Sequence, residues 1–173
     1  MKNSKPVPGA EAPALTIETN EGEWSLTEQK PKNFTAIFFY RGLHCPLCKK
    51  QLEELNEKRD RFEEAGASLI AVSMDSAARC RKSRSDWDVD DLTIGHSMTE
   101  ETARDWGLYI SEAIKDGEPD IFSEPGIFLV KPNGQLYFSA IQSAPFARPE
   151  VDAILSMIDF VMKKDYPARG QKN

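Results

Sequence analysis

The chain is poor in the residues that would point to a secreted or a nucleic-acid-binding protein. Only three of its 173 residues are cysteines and two are histidines, and 22 lysines and arginines are outnumbered by 28 aspartates and glutamates. A net charge of -6, with both signs spread along the chain, excludes the basic face that a nucleic-acid binder needs. Three cysteines cannot build the disulfide framework of a small secreted protein, so we expect them to serve catalysis or redox sensing.

Long hydrophobic runs are missing as well. No stretch approaches the roughly 18 apolar residues that would span a membrane, and residues 1–13 are polar and rich in proline where a signal peptide would be apolar. We therefore expect a cytoplasmic protein with neither a membrane nor a nucleic acid as partner. The length predicts one domain over residues 1–173, with an extended leader at 1–13 and a polar tail at 166–173.

Two cysteines three residues apart, Cys45 and Cys48, are the most informative feature that is present. They follow the apolar run 34–40 and open a helical pattern. Pro46 suits the first helical position, so we expect Cys45 at the N-cap and Cys48 in the first turn, with both sulfurs on one face. A C-x-x-C pair in this setting predicts a redox-active disulfide.

Positive charge surrounds this pair in the sequence. A helix start favours a thiolate over a thiol, and Arg41, Lys49 and Lys50 act in the same direction, so a lowered thiol pKa is expected. His44 has two interpretations at this point. It could donate a hydrogen bond to a thiolate, or it could be a packing or capping residue.

The pattern of apolar residues in the first half predicts alternating strands and helices. Segments 15–19 and 23–26 are typical of an edge hairpin, and 34–40 is typical of a central strand buried on both faces. One long amphipathic helix is expected over 46–65, ended by Gly66, with a buried face formed by Leu47, Cys48, Leu52, Leu55 and Phe62. Further strands are expected at 68–73 and 92–94 and further helices at 76–87 and 99–106, an order that favours parallel strands.

The second half of the chain contains strands that follow one another without a helix between them. Apolar runs at 127–131 and 135–141 are joined by Pro132-Asn133-Gly134, and Asn-Gly is a strong signal for an antiparallel hairpin. A final amphipathic helix begins near Pro149. The expected fold class is α/β: a thioredoxin-like fold with a central mixed sheet, helices on both faces and an N-terminal β-hairpin extension.

The residues from Phe39 to Lys49 resemble the F-Y-R-G-x-x-C-P-x-C stretch of the peroxiredoxin-like branch of the thioredoxin superfamily. This branch lies near the alkyl hydroperoxide reductase and thiol-specific antioxidant proteins. The resemblance extends from about Pro13 to Met162, and it implies an antioxidant oxidoreductase without a cofactor.

The chain departs from the peroxidase pattern at two positions. In the resemblance, Cys48 takes the position of the peroxidatic cysteine, and Cys45 stands where those proteins have threonine or serine. The arginine that they carry before a later strand falls near Pro125, where this chain has none. Thioredoxins instead have C-x-x-C and a cis proline ahead of that strand, so Pro125 is a candidate for a cis proline.

Two redox mechanisms follow. In the favoured one, a thiol-disulfide oxidoreductase, Cys45 is the exposed attacking thiolate, Cys48 resolves the mixed disulfide, and the substrate is a disulfide. In the alternative, a thiol peroxidase, Cys48 attacks a hydroperoxide and its sulfenic acid condenses with Cys45. Arg41 is then the candidate for stabilising the leaving alkoxide. Both cycles end in the same disulfide and need an external thiol reductant.

Other interpretations stay open. The chain could be a redox-inactive binding module that holds a peptide in a groove near Pro125, and a homodimer is possible because peroxiredoxin relatives often dimerise. A zinc site is disfavoured because Cys80, His44 and His96 lack a matching spacing, so no metal or cofactor is expected. Cys80 is interpreted as a buried or surface thiol. Phe122 and Phe146 are hypothesised to form a hydrophobic rim.

Overall fold

Nine strands are present in the computed structural model, which describes residues 5–172. In chain order they are β1 (Thr16–Thr19), β2 (Gly22–Ser25), β3 (Phe34–Phe39), β4 (Ala67–Val72), β5 (Ile94–His96), β6 (Ile110–Glu112), β7 (Ile121–Ser123), β8 (Gly126–Val130) and β9 (Leu136–Ile141). Seven of them form one mixed sheet in the order β2-β1-β5-β4-β3-β8-β9, and β6 and β7 form a separate hairpin.

Five α-helices connect and cover these strands within residues 5–172. They are α1 (Pro46–Glu57), α2 (Arg59–Glu64), α3 (Ala77–Asp86), α4 (Glu100–Asp105) and α5 (Val151–Lys164). Helices α1 to α3 and α5 bury residues on one face of the sheet, and α4 buries Ala103 on the other. The α/β class, the mixed sheet and the placement of helices on both faces are confirmed.

The strand β3 lies inside the sheet and ends at the candidate site. All six of its residues are buried, and it pairs in parallel with β4 and antiparallel with β8. Because side chains alternate between the faces of a strand, Phe38 and Tyr40 pack into the core under α1 and α5, whereas Ile37 and Phe39 pack into the core around Trp106. Both faces are apolar, as the continuous hydrophobic run predicts.

The two predicted hairpins are also confirmed. β1 and β2 pair antiparallel at one edge of the sheet, and β8 and β9 pair antiparallel near the other. The edge strand β9 is partly covered by the leader, since the amide of Gly9 donates to the carbonyl of Leu136 and that of Ala12 to the carbonyl of Gly134. Residues 1–4 of the predicted leader and Asn173 of the predicted tail lie outside the described residues.

Three local predictions were wrong. The long helix is broken at Lys58, because no apolar residue occupies 58–59, where the helical period would next face the core. Leu47, assigned to the buried face of that helix, is 42% exposed. The strand expected at 92–94 starts two residues later, because Leu92 is buried in the preceding loop.

The hairpin of β6 and β7 is not predicted at all, since three-residue strands are too short to show an alternating pattern. Among residues 5–172, no helix is long and apolar enough to cross a membrane.

Candidate active site

The two cysteines of the C-x-x-C pair occupy the start of α1, as predicted. Cys45 is the N-cap in an extended conformation, Pro46 is the first helical residue, and the amide of Cys48 donates to Cys45 Sγ over 3.2 Å. The two cysteines approach each other to 2.7 Å. Both cysteines lie at the positive end of a helix of 12 residues.

Neither sulfur is open to solvent. Cys45 is 1% exposed and Cys48 is 0% exposed. The prediction that Cys45 is an exposed thiolate is therefore wrong. The N-cap position directs its side chain back over the first turn, and the loop that precedes α5 covers the pair from the opposite side.

Arg148 provides a cation that contacts both sulfurs. Its Nη2 donates to Cys48 Sγ at 3.2 Å and to Cys45 Sγ at 3.6 Å. The guanidinium is fixed from behind, because Nε donates to the carbonyl of Pro145 at 2.7 Å and Nη1 to Gln51 Oε1 at 2.9 Å. Sequence reasoning missed this residue, since it lies 100 positions from Cys48 in a loop without a motif.

Arg41 contributes through its backbone amide and through its side chain. Its amide donates to Cys48 Sγ over 3.4 Å. Its guanidinium lies 4.7 Å from the Phe122 ring centre, and Nε forms a 3.1 Å ion pair with the buried Glu124. The Arg41 side chain also helps to lower the pKa of Cys45. Arg41 is therefore one of two arginines at the site, and the sequence predicted only this one.

His44 packs against an aromatic ring. Its ring centre lies 4.5 Å from that of Phe122, and neither ring nitrogen has a hydrogen-bond partner among the described residues. Burial lowers the pKa of His44, and the charge of Arg41 lowers it further. Of the two interpretations, the structure supports the packing residue.

The pair of thiols shares one proton. The hydrogen bond from the Cys48 thiol is the main cause that lowers the pKa of Cys45 to about 5, assisted by the Cys48 amide and Arg148 and opposed by burial. Burial raises the pKa of Cys48 well above its ordinary value, and the hydrogen bond that it donates to Cys45 adds to this. The pair therefore carries one negative charge at neutral pH.

Pro125 does not have the predicted cis conformation, because no peptide bond in residues 5–172 is cis. Its carbonyl accepts a 3.0 Å hydrogen bond from the amide of Gln142, and Gly126 directly after it pairs with Phe39. Proline therefore stands immediately before a strand, where its fixed φ is compatible with an extended chain.

A cleft of about 310 Å³ lies between α1 and the loop before α5. Arg148 and Gln51 form part of its wall, and the exposed side chains Leu47 and Phe146 lie at its edge. The hypothesis of a hydrophobic rim is therefore right for Phe146, which is 68% exposed, and wrong for Phe122, which is buried.

Cys80 lies apart from the pair, on α3. It is buried, and burial raises its pKa to about 11, so that it remains a protonated thiol. This agrees with its interpretation as a buried thiol.

A mixed sheet with a buried dithiol at the start of its first long helix defines a thioredoxin-like protein built for thiol chemistry. The sequence profile described as the AhpC/TSA family matches residues 8–139, and the chain belongs to this family.

Individual proteins of this family are also similar to the chain. The chain is 28% identical over 130 residues to a peroxiredoxin from Thermoplasma volcanium, covering 72% of this chain and 60% of that protein. It is 24% identical over 152 residues to alkyl hydroperoxide reductase C of Mycobacterium tuberculosis. That alignment covers 88% of this chain and 70% of the relative. Among solved structures, the peroxiredoxin 6 of Arenicola marina matches with a TM-score of 0.76 at 19% identity, over 90% of this chain and 73% of that chain. The 2-Cys peroxiredoxin of Plasmodium vivax matches with a TM-score of 0.75 at 21% identity, over 92% of this chain and 98% of that chain.

Proposed function

We propose that this chain is a thiol peroxidase that reduces hydroperoxides through Cys48, with Cys45 as the resolving thiol. The observation that carries the proposal is the contact of Arg148 with both sulfurs. The sequence favoured disulfide exchange because two elements of the peroxidase pattern are replaced, the hydroxyl residue by Cys45 and the arginine near Pro125. Arg148 supplies a guanidinium from a different part of the chain, so one of these two arguments against a peroxidase no longer applies.

Burial of the dithiol supports the same choice. A protein disulfide must bring its own sulfur into line with a thiolate, which requires an exposed nucleophile. Both cysteines are covered here, and the cleft beside Arg148 measures about 310 Å³. Neither cysteine lines this cleft, but Arg148 lines it and contacts both sulfurs, and a hydroperoxide is small enough to enter a cleft of this size whereas a folded protein is not.

The choice of Cys48 as the attacking sulfur rests on its hydrogen bonds and on its position in the family. Cys48 Sγ accepts hydrogen bonds from the Arg41 amide and from Arg148, which is closer to it than to Cys45. The resting charge lies mainly on Cys45. The Cys48 proton passes to Cys45 along the hydrogen bond that joins the two side chains, and the charge then lies where the two donors hold it.

The reaction then proceeds in two steps. The Cys48 thiolate attacks the distal oxygen of the hydroperoxide, the O–O bond breaks, and the sulfur is oxidised to a sulfenic acid. The alkoxide that leaves takes a proton from solvent, and Arg148 stabilises the negative charge during this step. Cys45, now a thiol, displaces the hydroxyl group from Cys48, which forms the disulfide and releases water.

An external thiol reductant must reopen the Cys45–Cys48 disulfide to complete the cycle. The sequence predictions of a homodimer, of one domain and of a cytoplasmic location remain predictions.

Sulfenic acid trapping in single-cysteine variants tests the assignment. In Cys45→Ser, a hydroperoxide should leave a trappable sulfenic acid on Cys48, because the resolving thiol is gone. In Cys48→Ser, Cys45 should react much more slowly, while the control Cys80→Ser should behave like the wild type. Trapping on Cys45 in Cys48→Ser at the wild-type rate would reverse the two roles.

A further inference from the structure

A buried carboxylate that the proposed mechanism does not use lies beside the turn that precedes the dithiol. Asp75, in the connection between β4 and α3, is 1% exposed. Its Oδ2 accepts a 2.8 Å hydrogen bond from the amide of Leu43, and its Oδ1 accepts a 3.0 Å hydrogen bond from Arg79 Nε. A buried charge is costly without partners, and here each oxygen has one.

The turn held by Asp75 is the one that presents donors and the N-cap to the sulfurs. At its start, the Arg41 amide donates to Cys48 Sγ, and at its end the Cys45 amide donates to the carbonyl of Gly42 at 3.1 Å. The Leu43 amide lies between these two hydrogen bonds. Fixing Leu43 therefore fixes the path of the chain on both sides of it.

The fit between the turn and the carboxylate is close. Gly42 has φ +139°, and a Cβ at this position would lie 2.5 Å from Asp75 Oδ1. The turn can pack against Asp75 only because residue 42 has no side chain. Arg79 also donates from Nη2 to the carbonyl of Gly117 at 3.2 Å. The guanidinium that holds the carboxylate is therefore itself fixed by the backbone.

We infer that Asp75 is a positioning residue for the dithiol: through the Leu43 amide it holds the Arg41 amide on Cys48 and Cys45 at the N-cap. The role rests on the proposed use of this pair as the reacting site, and it does not depend on which oxidant reacts. Asp75 thereby favours the thiolate through geometry, although its own negative charge acts against one.

Because the geometry held by Asp75 favours the thiolate and its charge acts against the thiolate, substitutions at Asp75 can separate the effect of geometry from the effect of charge. Asp75→Ala removes the acceptor for the Leu43 amide together with the charge. Asp75→Asn removes the charge and keeps an oxygen that can accept from Leu43. Geometry predicts that the pKa of the pair rises in Asp75→Ala, whereas in Asp75→Asn it stays at or below the wild-type value. An effect of charge alone predicts that the pKa falls in both.

The experiment is a pH titration of the reduced, full-length protein by the ultraviolet absorbance of the thiolate, with Asp86→Ala as the control. Asp86 is an acid on the surface of α3 that pairs with Lys82. In Asp75→Ala we expect the first pKa of the pair to rise by about one unit, which is a tenfold loss of thiolate below that pKa. We expect no change in Asp86→Ala.

Two outcomes would overturn the inference. One is a pKa that falls equally in Asp75→Ala and Asp75→Asn, and the other is an unchanged pKa in a folded Asp75→Ala protein whose thermal midpoint alone is lower. If Asp75→Ala does not fold, Asp75→Glu decides. It keeps the charge but displaces the oxygens, so its pKa should rise, and an unchanged value would refute the role. No hydroperoxide is added, so failure of the proposed peroxidase would be seen separately.

Discussion

Replacing Arg148 by methionine should impair the peroxidase reaction without unfolding the protein. The substitution keeps a flexible apolar chain along the cleft and removes the guanidinium that contacts both sulfurs. A hydrogen bond to a charged group contributes about 1.5–3 kcal/mol. At about 1.36 kcal/mol for each factor of ten, losing one such bond to the thiolate lowers the rate about 13- to 160-fold.

Arg148→Lys should recover little of this loss. A lysine keeps the charge, but it lacks the planar fork that lets the guanidinium donate at once to the sulfurs, to Gln51 and to the Pro145 carbonyl. If charge alone were sufficient, lysine would restore most of the activity.

The assay is a single-turnover measurement of hydroperoxide consumption by the reduced protein. Lys50→Met is the matched control, because Lys50 lines the same cleft and has no hydrogen bond to either sulfur. The control should react within about twofold of the wild type, since an exposed charge contributes little. A rate in Arg148→Met equal to that of Lys50→Met would refute the role assigned to Arg148.

Three further predictions follow from the same geometry. Gln51→Ala removes one of the supports of Arg148, so peroxide consumption should fall by a smaller factor of about 2 to 13, the equivalent of one ordinary hydrogen bond. The alkylation rate of the reduced pair should rise with pH through about 5 and level off before neutrality, because the pKa of Cys45 is lowered to about 5 and the charged form dominates above it; a rate still rising at pH 8 would contradict the lowered pKa. Gly42→Ala should reduce the free energy of unfolding in urea by about 1–3 kcal/mol, because its Cβ would overlap Asp75, and a stability equal to the wild type would contradict the close fit.

The sequence predicted those parts of the fold whose signal lies in a short stretch of neighbouring residues. The apolar run 34–40 identified the buried strand β3, Asn133-Gly134 identified the late hairpin, and the spacing of Cys45 and Cys48 identified the start of α1. Each of these signals is local, since the residues that determine the structure are neighbours in the chain.

The remainder of the site depends on contacts between distant segments. Arg148 reaches the sulfurs only because α5 returns beside α1, and nothing in its neighbouring sequence marks it. The burial of Cys45 and the trans bond before Pro125 likewise depend on how loops pack. The absence of an arginine at residue 125 was correctly noted from the sequence, but Arg41 was the only cation predicted for the site, and Arg148 was missed.

The most direct test of the proposed activity is to mix the reduced wild-type protein with one equivalent of a hydroperoxide and to map its cysteines by mass spectrometry. We expect the hydroperoxide to be consumed faster than by free cysteine at the same pH, with a disulfide between Cys45 and Cys48 and a free Cys80. Consumption no faster than that by free cysteine, or oxidation that falls on Cys80 instead of the pair, would contradict a peroxidase centred on Cys48.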